Sequence, residues 1–178
     1  MKLTQRFIIA LALTSASLPV ATFAAPTPQP KPLEERVRRE LSTIPYLSVF
    51  DDLYFSVDNG AVTLMGAVTR PVLKEDAGNV VRHLAGVTSV TNQIEVLPLS
   101  SFDDNVRVRT LRTLERTASL YRYFLGVNPS IRIVVKNGHI TLDGFVDNAA
   151  DSQLAYMAAN RVPNVFSVTN NLRIEPHK

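Results

Sequence analysis

When Val57 is set on Val135, the chain repeats itself without a gap as far as Pro98 and Pro176. Asn59-Gly60 meets Asn137-Gly138, Thr63-Leu64 meets Thr141-Leu142, Gly66 meets Gly144, and Ser89-Val90-Thr91-Asn92 meets Ser167-Val168-Thr169-Asn170. About a third of the aligned positions are identical, and the match runs through the segment between the strands as well as the strands themselves. Two similar hairpins in one larger sheet would not require that. The pattern therefore predicts one folding unit present twice. A unit of roughly 60–70 residues buries a modest core and is marginal alone, so two copies gain by docking.

Each copy can be read in order. Leu33, Val37, Leu41 and Ile44 recur at helical spacing, and Pro45 should stop that helix. In the second copy Leu111, Leu114, Ala118, Tyr121 and Leu125 predict one longer helix over 103–125, ended by Gly126 and Pro129. Alternation follows, with Leu53, Phe55 and Val57 on one face and Ile131, Ile133 and Val135 in the copy. The Asn59-Gly60 and Asn137-Gly138 pairs suit tight hairpin turns, which need positive φ. Gly66 and Gly144 fall on the inward face of the returning strands, which predicts close approach of a helix backbone. A second helix buries Leu73, Ala77, Val80, Val81 and Leu84, and in the copy Ala155, Ala158, Ala159 and Val162. The last strands run from about Val90 to Val96 and Val168 to Ile174, parallel to the second strand by the crossover rule. Asn92 and Asn170 sit at matching inward positions there, where an amide satisfies backbone groups. The fold class is α+β, with two αββαβ units, each a three-stranded mixed sheet covered on one face by two helices.

The rest of the chain frames these units. Lys2 and Arg6 precede an apolar stretch from Phe7 to Val20, and Thr22 and Ala24 have the spacing of a cleavage site. This predicts a signal peptide over 1–24, the apolar run being short of the roughly 20 residues that span a bilayer. Alternating prolines make 25–32 a linker. The units occupy 33–98 and 103–176, and the expected location is the periplasm. With 0 cysteines there is no thiolate metal site and no cysteine nucleophile. The net charge of +3 falls to +1 without Lys2 and Arg6, so net charge gives no support for nucleic-acid binding.

The stretches Asp58–Gly66 and Gly86–Ile94, and their copies Lys136–Gly144 and Asn164–Leu172, resemble the BON domain, a small repeat of bacterial envelope proteins. Asn164 replaces the glycine found at Gly86. In layout the chain resembles the soluble, osmotically inducible tandem type, since it lacks the cysteine of the lipoprotein type. The resemblance implies a role in envelope maintenance or osmotic stress, through anionic phospholipid, outer-membrane protein assembly or unfolded exported clients. It also implies that the first helix of the second unit is the lipid-facing element.

On a helical wheel of 103–125, Arg109, Arg112 and Arg116 share one narrow sector opposite Leu111, Leu114 and Ala118. Tyr123 falls near them and Arg122 follows. Guanidinium groups beside an aromatic ring suit a phosphate headgroup. The plain alternative is a solvated helix face. In the first unit Arg36, Arg38 and Arg39 are interleaved with Glu34, Glu35 and Glu40, so their charges cancel.

Nothing marks an enzyme or a cofactor site. His83, His139 and His177 have no ligand partner at metal-binding spacing. Asp51-Asp52 and Asp103-Asp104 fit turn and capping chemistry. There is no glycine-rich phosphate loop and no nucleophile elbow. The leading expectation is a peripheral contact with an anionic phospholipid surface through the second unit. The rival is a chaperone or adaptor for exported or outer-membrane proteins that pairs clients with an exposed sheet edge. A small-ligand or ion sensor is a third possibility, but the sequence locates no pocket for one.

Overall fold

A computed structural model describes residues 32–175. The expected signal peptide, residues 25–31 of the linker and His177 lie outside the described residues. The elements are α1 (Leu33–Ser42), β1 (Asp52–Asp58), β2 (Ala61–Val68), α2 (Pro71–Arg82), β3 (Ser89–Asn92) and β4 (Glu95–Val96). The second series is α3 (Ser101–Glu115), a 3-10 segment (Ala118–Phe124), β5 (Ile131–Lys136), β6 (His139–Val146), α4 (Ala149–Asn160), β7 (Ser167–Asn170) and β8 (Arg173–Ile174).

Two separate sheets of the same topology result. β1 and β2 pair antiparallel, and β3 and β4 both run parallel to β2 on its other side. β5, β6, β7 and β8 repeat this. The expected third strand is thus split in each copy, and Asn92 and Asn170 explain the split. Asn92 Oδ1 accepts from the Ile94 amide at 3.2 Å while its Nδ2 donates to the Lys74 carbonyl of α2 at 2.7 Å. Asn170 does the same between Leu172 and Ser152, at 3.3 Å and 3.3 Å. The side chain replaces one rung of the ladder and ties strand to helix, and Ile94 turns into the core.

Both hairpin turns are as expected: Asn59 and Gly60 have φ of +47° and +86°, and Asn137 and Gly138 have +52° and +75°. Gly66 and Gly144 differ from expectation. Both hold φ +115°, and a Cβ there would collide with a carbonyl of the neighbouring strand end, Asp52 or Ser130, rather than with a helix. The glycine lets the hairpin close on itself at the start of its first strand.

The first core packs Val37, Leu41 and Ile44 against Val62, Leu64 and Val68, with Leu73, Ala77 and Val81 of α2 on the same sheet face. α1 stops at Ser42, since the residue before Pro45 disfavours helix. The second core holds Ile131, Ile133, Val135, Ile140, Leu142 and Val146 under Val106, Leu114, Leu120 and the small residues Ala155, Ala158 and Ala159.

Between the two lobes, the Ile133 amide donates to the Val49 carbonyl at 2.9 Å, and Val49 and Phe50 pack on the second core. Arg132 Nη1 donates to the Ser48 carbonyl at 3.0 Å, and Lys136 pairs with Glu95 at 2.6 Å. Asp51 is buried and accepts from Ser48 and Thr69, which fixes the loop that reaches across. Burial pushes the Asp52 carboxyl up to about 6; Asp143 across the seam adds to this, and Arg132 and Arg173 oppose it.

Candidate functional site

α3 is fixed to its sheet by polar groups that the apolar periodicity does not show. Ser100 caps it, its Oγ accepting from the Asp103 amide at 3.1 Å. Asp103 is fully buried, and its carboxylate accepts from the Asn137 and Gly138 amides at 2.9 Å and 2.7 Å. One turn on, buried Arg107 donates to the Val135 carbonyl at 2.7 Å and pairs with Asp104. The inward stripe is therefore Asp103, Val106, Arg107, Thr110 and Leu114, with Leu111 only at its margin.

This anchoring decides what faces outward. Arg109, Arg112 and Arg116 are exposed, as the wheel predicts. None of the ion pairs among the described residues involves them. Val108 is exposed beside them, and so is Phe102 (41 %) at the helix start. Phe102 stacks on Phe166 (69 % exposed) with ring centroids 6.0 Å apart. Phe166 lies on the Gly138 backbone, where a Cβ would press on its ring. His139 tilts against the same ring at 5.8 Å and bonds Ser167 Oγ at 2.7 Å.

The expected helix over 103–125 is corrected here. It ends at Glu115, and Thr117 is extended with φ −85° and ψ 117°. Tyr123 is buried (2 % exposed), not on the arginine face. Its hydroxyl donates to Asp151 at 2.7 Å and accepts from the Asp147 amide at 3.0 Å. Arg122 pairs with Asp151 at 2.6 Å and Asp147 at 2.8 Å. Ser119 adds a bond to Asp151 at 2.5 Å. Burial works against a charge on Asp151, yet the Ser119 and Tyr123 hydrogen bonds and Arg122 outweigh it and hold the carboxyl below its usual range. Burial and the bond to Asp151 push the Tyr123 hydroxyl up. These bonds pull the chain into a 3-10 turn, so Arg122 and Tyr123 form a structural tie to α4. Tyr121 and Leu125, placed inside by the periodicity, are exposed for the same reason.

The aromatic group on the arginine side of α3 is thus Phe102, about two turns before Arg109, with Phe166 against it. The sequence held one signal for it: Phe102 falls in the arginine sector once the wheel is extended back by one residue. The stack with Phe166 depends on the folded turn at Gly138.

Among the described residues no cluster of His, Asp or Glu could hold a metal ion, and no helix is long and apolar enough to cross a membrane. The cleft of about 180 Å³ by Leu53 and Phe55 lies at the seam.

A family profile described as BON domain matches residues 31–98 and 115–176. The chain is 29% identical over 123 residues to osmotically-inducible protein Y of Escherichia coli (strain K12), an alignment that takes in 68% of this chain. The matched region spans 61% of that relative's length. Among solved structures, the C-terminal domain of CdsD, a structural protein of the type III secretion system of Chlamydia trachomatis, is 14% identical with a TM-score of 0.29, covering 81% of this chain and 98% of that one. A second structure of CdsD gives 13% and 0.28, covering 81% and 92%.

Proposed function

From the premise that this chain belongs to the BON-domain family, we propose that it is a non-catalytic protein of the bacterial periplasm, serving in osmotic or envelope stress, and that it rests on anionic phospholipid through α3. The similarity to an osmotically inducible protein supports the stress and envelope part of this reading. The observation that carries the lipid part is the outward face of α3: three unpaired guanidinium groups with an exposed aromatic pair at one end. Guanidinium groups bind phosphate through paired hydrogen bonds, and aromatic rings favour the zone between headgroup and acyl chain. Each cation near an anionic surface contributes on the order of 1 kcal/mol. Three give a weak, reversible attachment that salt weakens. The polar anchors beneath α3 support the reading, since they hold the helix while its outer face is occupied.

Co-sedimentation with vesicles tests this. Vesicles containing phosphatidylglycerol should retain the protein at low salt and lose it at high salt, and neutral vesicles should not retain it. R109Q/R112Q/R116Q should abolish retention without changing the melting temperature, and F102S should weaken it less. Equal, negligible retention on neutral and anionic vesicles would overturn the proposal.

A further inference from the structure

The two hairpin turns match in conformation, and only one of them is occupied. Asn59-Gly60 and Asn137-Gly138 each place two positive φ values in succession, +47° and +86° against +52° and +75°. The same bond backs each turn, from the Thr88 amide to the Gly60 carbonyl at 2.8 Å and from the Phe166 amide to the Gly138 carbonyl at 2.9 Å. Such a turn leaves two neighbouring amides outside the strand ladder, and amides grouped in this way make a seat for an anion. In the second lobe the anion is the Asp103 carboxylate. Each of its oxygens takes one amide, Asn137 at 2.9 Å and Gly138 at 2.7 Å.

In the first lobe nothing takes the matching pair. Among the described residues no group accepts from the Asn59 or Gly60 amide. Asp58, the adjacent acid, accepts from the Asn59 side chain at 3.0 Å and not from its backbone. In place of an acid, α1 sends a cation to this end of the sheet. Arg36 Nη2 lies 3.4 Å from the point a Cβ on Gly86 would occupy, and the Gly86 carbonyl oxygen lies 2.8 Å from the same point on Gly60. Arg36 is in no ion pair or side-chain hydrogen bond among the described residues, and its Nε is buried without a partner. The Thr88 hydroxyl is 3.3 Å from that point on Gly60, where the second lobe has the Phe166 ring. The chain itself holds no acid to fill the seat. Residues 1–31 and 176–178 contain no Asp or Glu, so every carboxylate side chain of the sequence falls among the described residues.

We infer that the Asn59-Gly60 turn binds a carboxylate supplied by another molecule, with Arg36 as its counter-charge. The second lobe contains the template, a carboxylate seated on the same two amides. Bonds from amides to an ionised acceptor are shorter and about twice as strong as neutral ones, and a guanidinium adds donors in a fork that fits the carboxylate plane. One guanidinium balances one carboxylate, so the seat suits a singly charged group and not a polyanion. A small organic acid and an acidic side chain of a partner protein share this chemistry. The inference does not rest on the membrane reading, which uses α3 of the other lobe.

Backbone NMR of the isotope-labelled chain from Ala25 onward tests this, with sodium acetate exchanged for sodium chloride at constant ionic strength. Saturable shifts at the Asn59 and Gly60 amides are expected. Asn137 and Gly138 should stay still, because Asp103 already fills their turn. R36Q should weaken acetate binding severalfold, and R36K, the second variant, should weaken it less. A capped peptide copying residues 100–104, Ser-Ser-Phe-Asp-Asp, distinguishes the two sources: binding tighter than that of acetate assigns the seat to an acidic protein segment, and binding no tighter assigns it to a small acid. Shifts that do not saturate, that added chloride reproduces, or that move Asn137 and Gly138 equally would overturn the inference. Acetate binding that R36Q leaves unchanged would overturn the assignment of Arg36 and the inference with it.

Discussion

The two lobes agree in their hairpins and differ in their first helices. β1–β2 and β5–β6 share register, turn conformation and the strained glycine, and each third strand breaks at its asparagine. Above these sheets, α1 meets its core with Val37 and Leu41, whereas α3 brings Asp103, Arg107 and Thr110 inside with Val106 and Leu114. Among the described residues five polar side chains are buried, and four of them belong to the second lobe. The difference teaches where a duplicated unit is free to diverge. The hairpin carries conformational constraints that few residues meet, so it is kept. The first helix needs only to cover the sheet, and it can do so with carbon or with satisfied polar groups. Polar anchoring leaves α3's outer face free for other work.

The largest effects should come where the lobes agree. Gly66→Ala and Gly144→Ala place a Cβ on a neighbouring carbonyl at φ +115°, and each should cost about 4 kcal/mol or more, within the range of the severest single substitutions. Thermal or urea unfolding of the two variants compares them. A loss confined to one lobe would break the equivalence of the hairpins.

A difference between the lobes should appear with Asp103→Asn. The amide keeps one acceptor, but its NH₂ then faces the Asn137 or Gly138 amide in a buried site. About 3 kcal/mol should be lost, with hydrogen exchange speeding up at Asn137 and Gly138 and not at Asn59 and Gly60. Equal changes at both turns would show that the lobes unfold as one unit.

The seam gives the smallest effect, and it depends on pH. The Asp52 carboxyl titrates at about 6 in the fold against 3.8 when unconstrained. Between those values the unfolded chain releases the proton first, so stability falls as pH rises and levels off above about 6. Asp52→Asn should therefore stabilise the protein by on the order of 2 kcal/mol at pH 7.5 and by nothing near pH 3.5. A gain that does not change with pH would remove Asp52 from the account of the seam.

Much of this was legible in the sequence, for definite reasons. The Asn-Gly turns, the alternation of Leu53-Phe55-Val57 and the stripe Ala155-Ala158-Ala159 are local patterns with one structural solution. The arginine sector was legible because Arg109, Arg112 and Arg116 lie within the part of α3 that stays helical. Tyr123 was misplaced because the break at Thr117 has no glycine or proline to announce it. Its cause is Asp151, 28 residues away in sequence. Asp103 reads in the sequence as a capping residue, and nothing there singles out Arg107, because the partners that bring them inside, the hairpin amides and the Val135 carbonyl, lie 28 to 35 residues on. Gly66 was assigned the wrong neighbour, since periodicity gives the face of a residue and not what approaches it. The seam, built by a loop meeting a strand edge, has no periodic signal.

The join between the lobes has one further consequence. Leu97 still bonds to Val68 of the first sheet, and α3 begins at Ser101. Only Pro98, Leu99 and Ser100 lie between, a tether of four steps from Leu97 to Ser101 that reaches at most roughly 14 Å. So short a leash keeps the partners at millimolar effective concentration or above. A handful of contacts that could not hold two separate molecules together can then keep these halves in register, and parting them becomes a brief local excursion, not a dissociation.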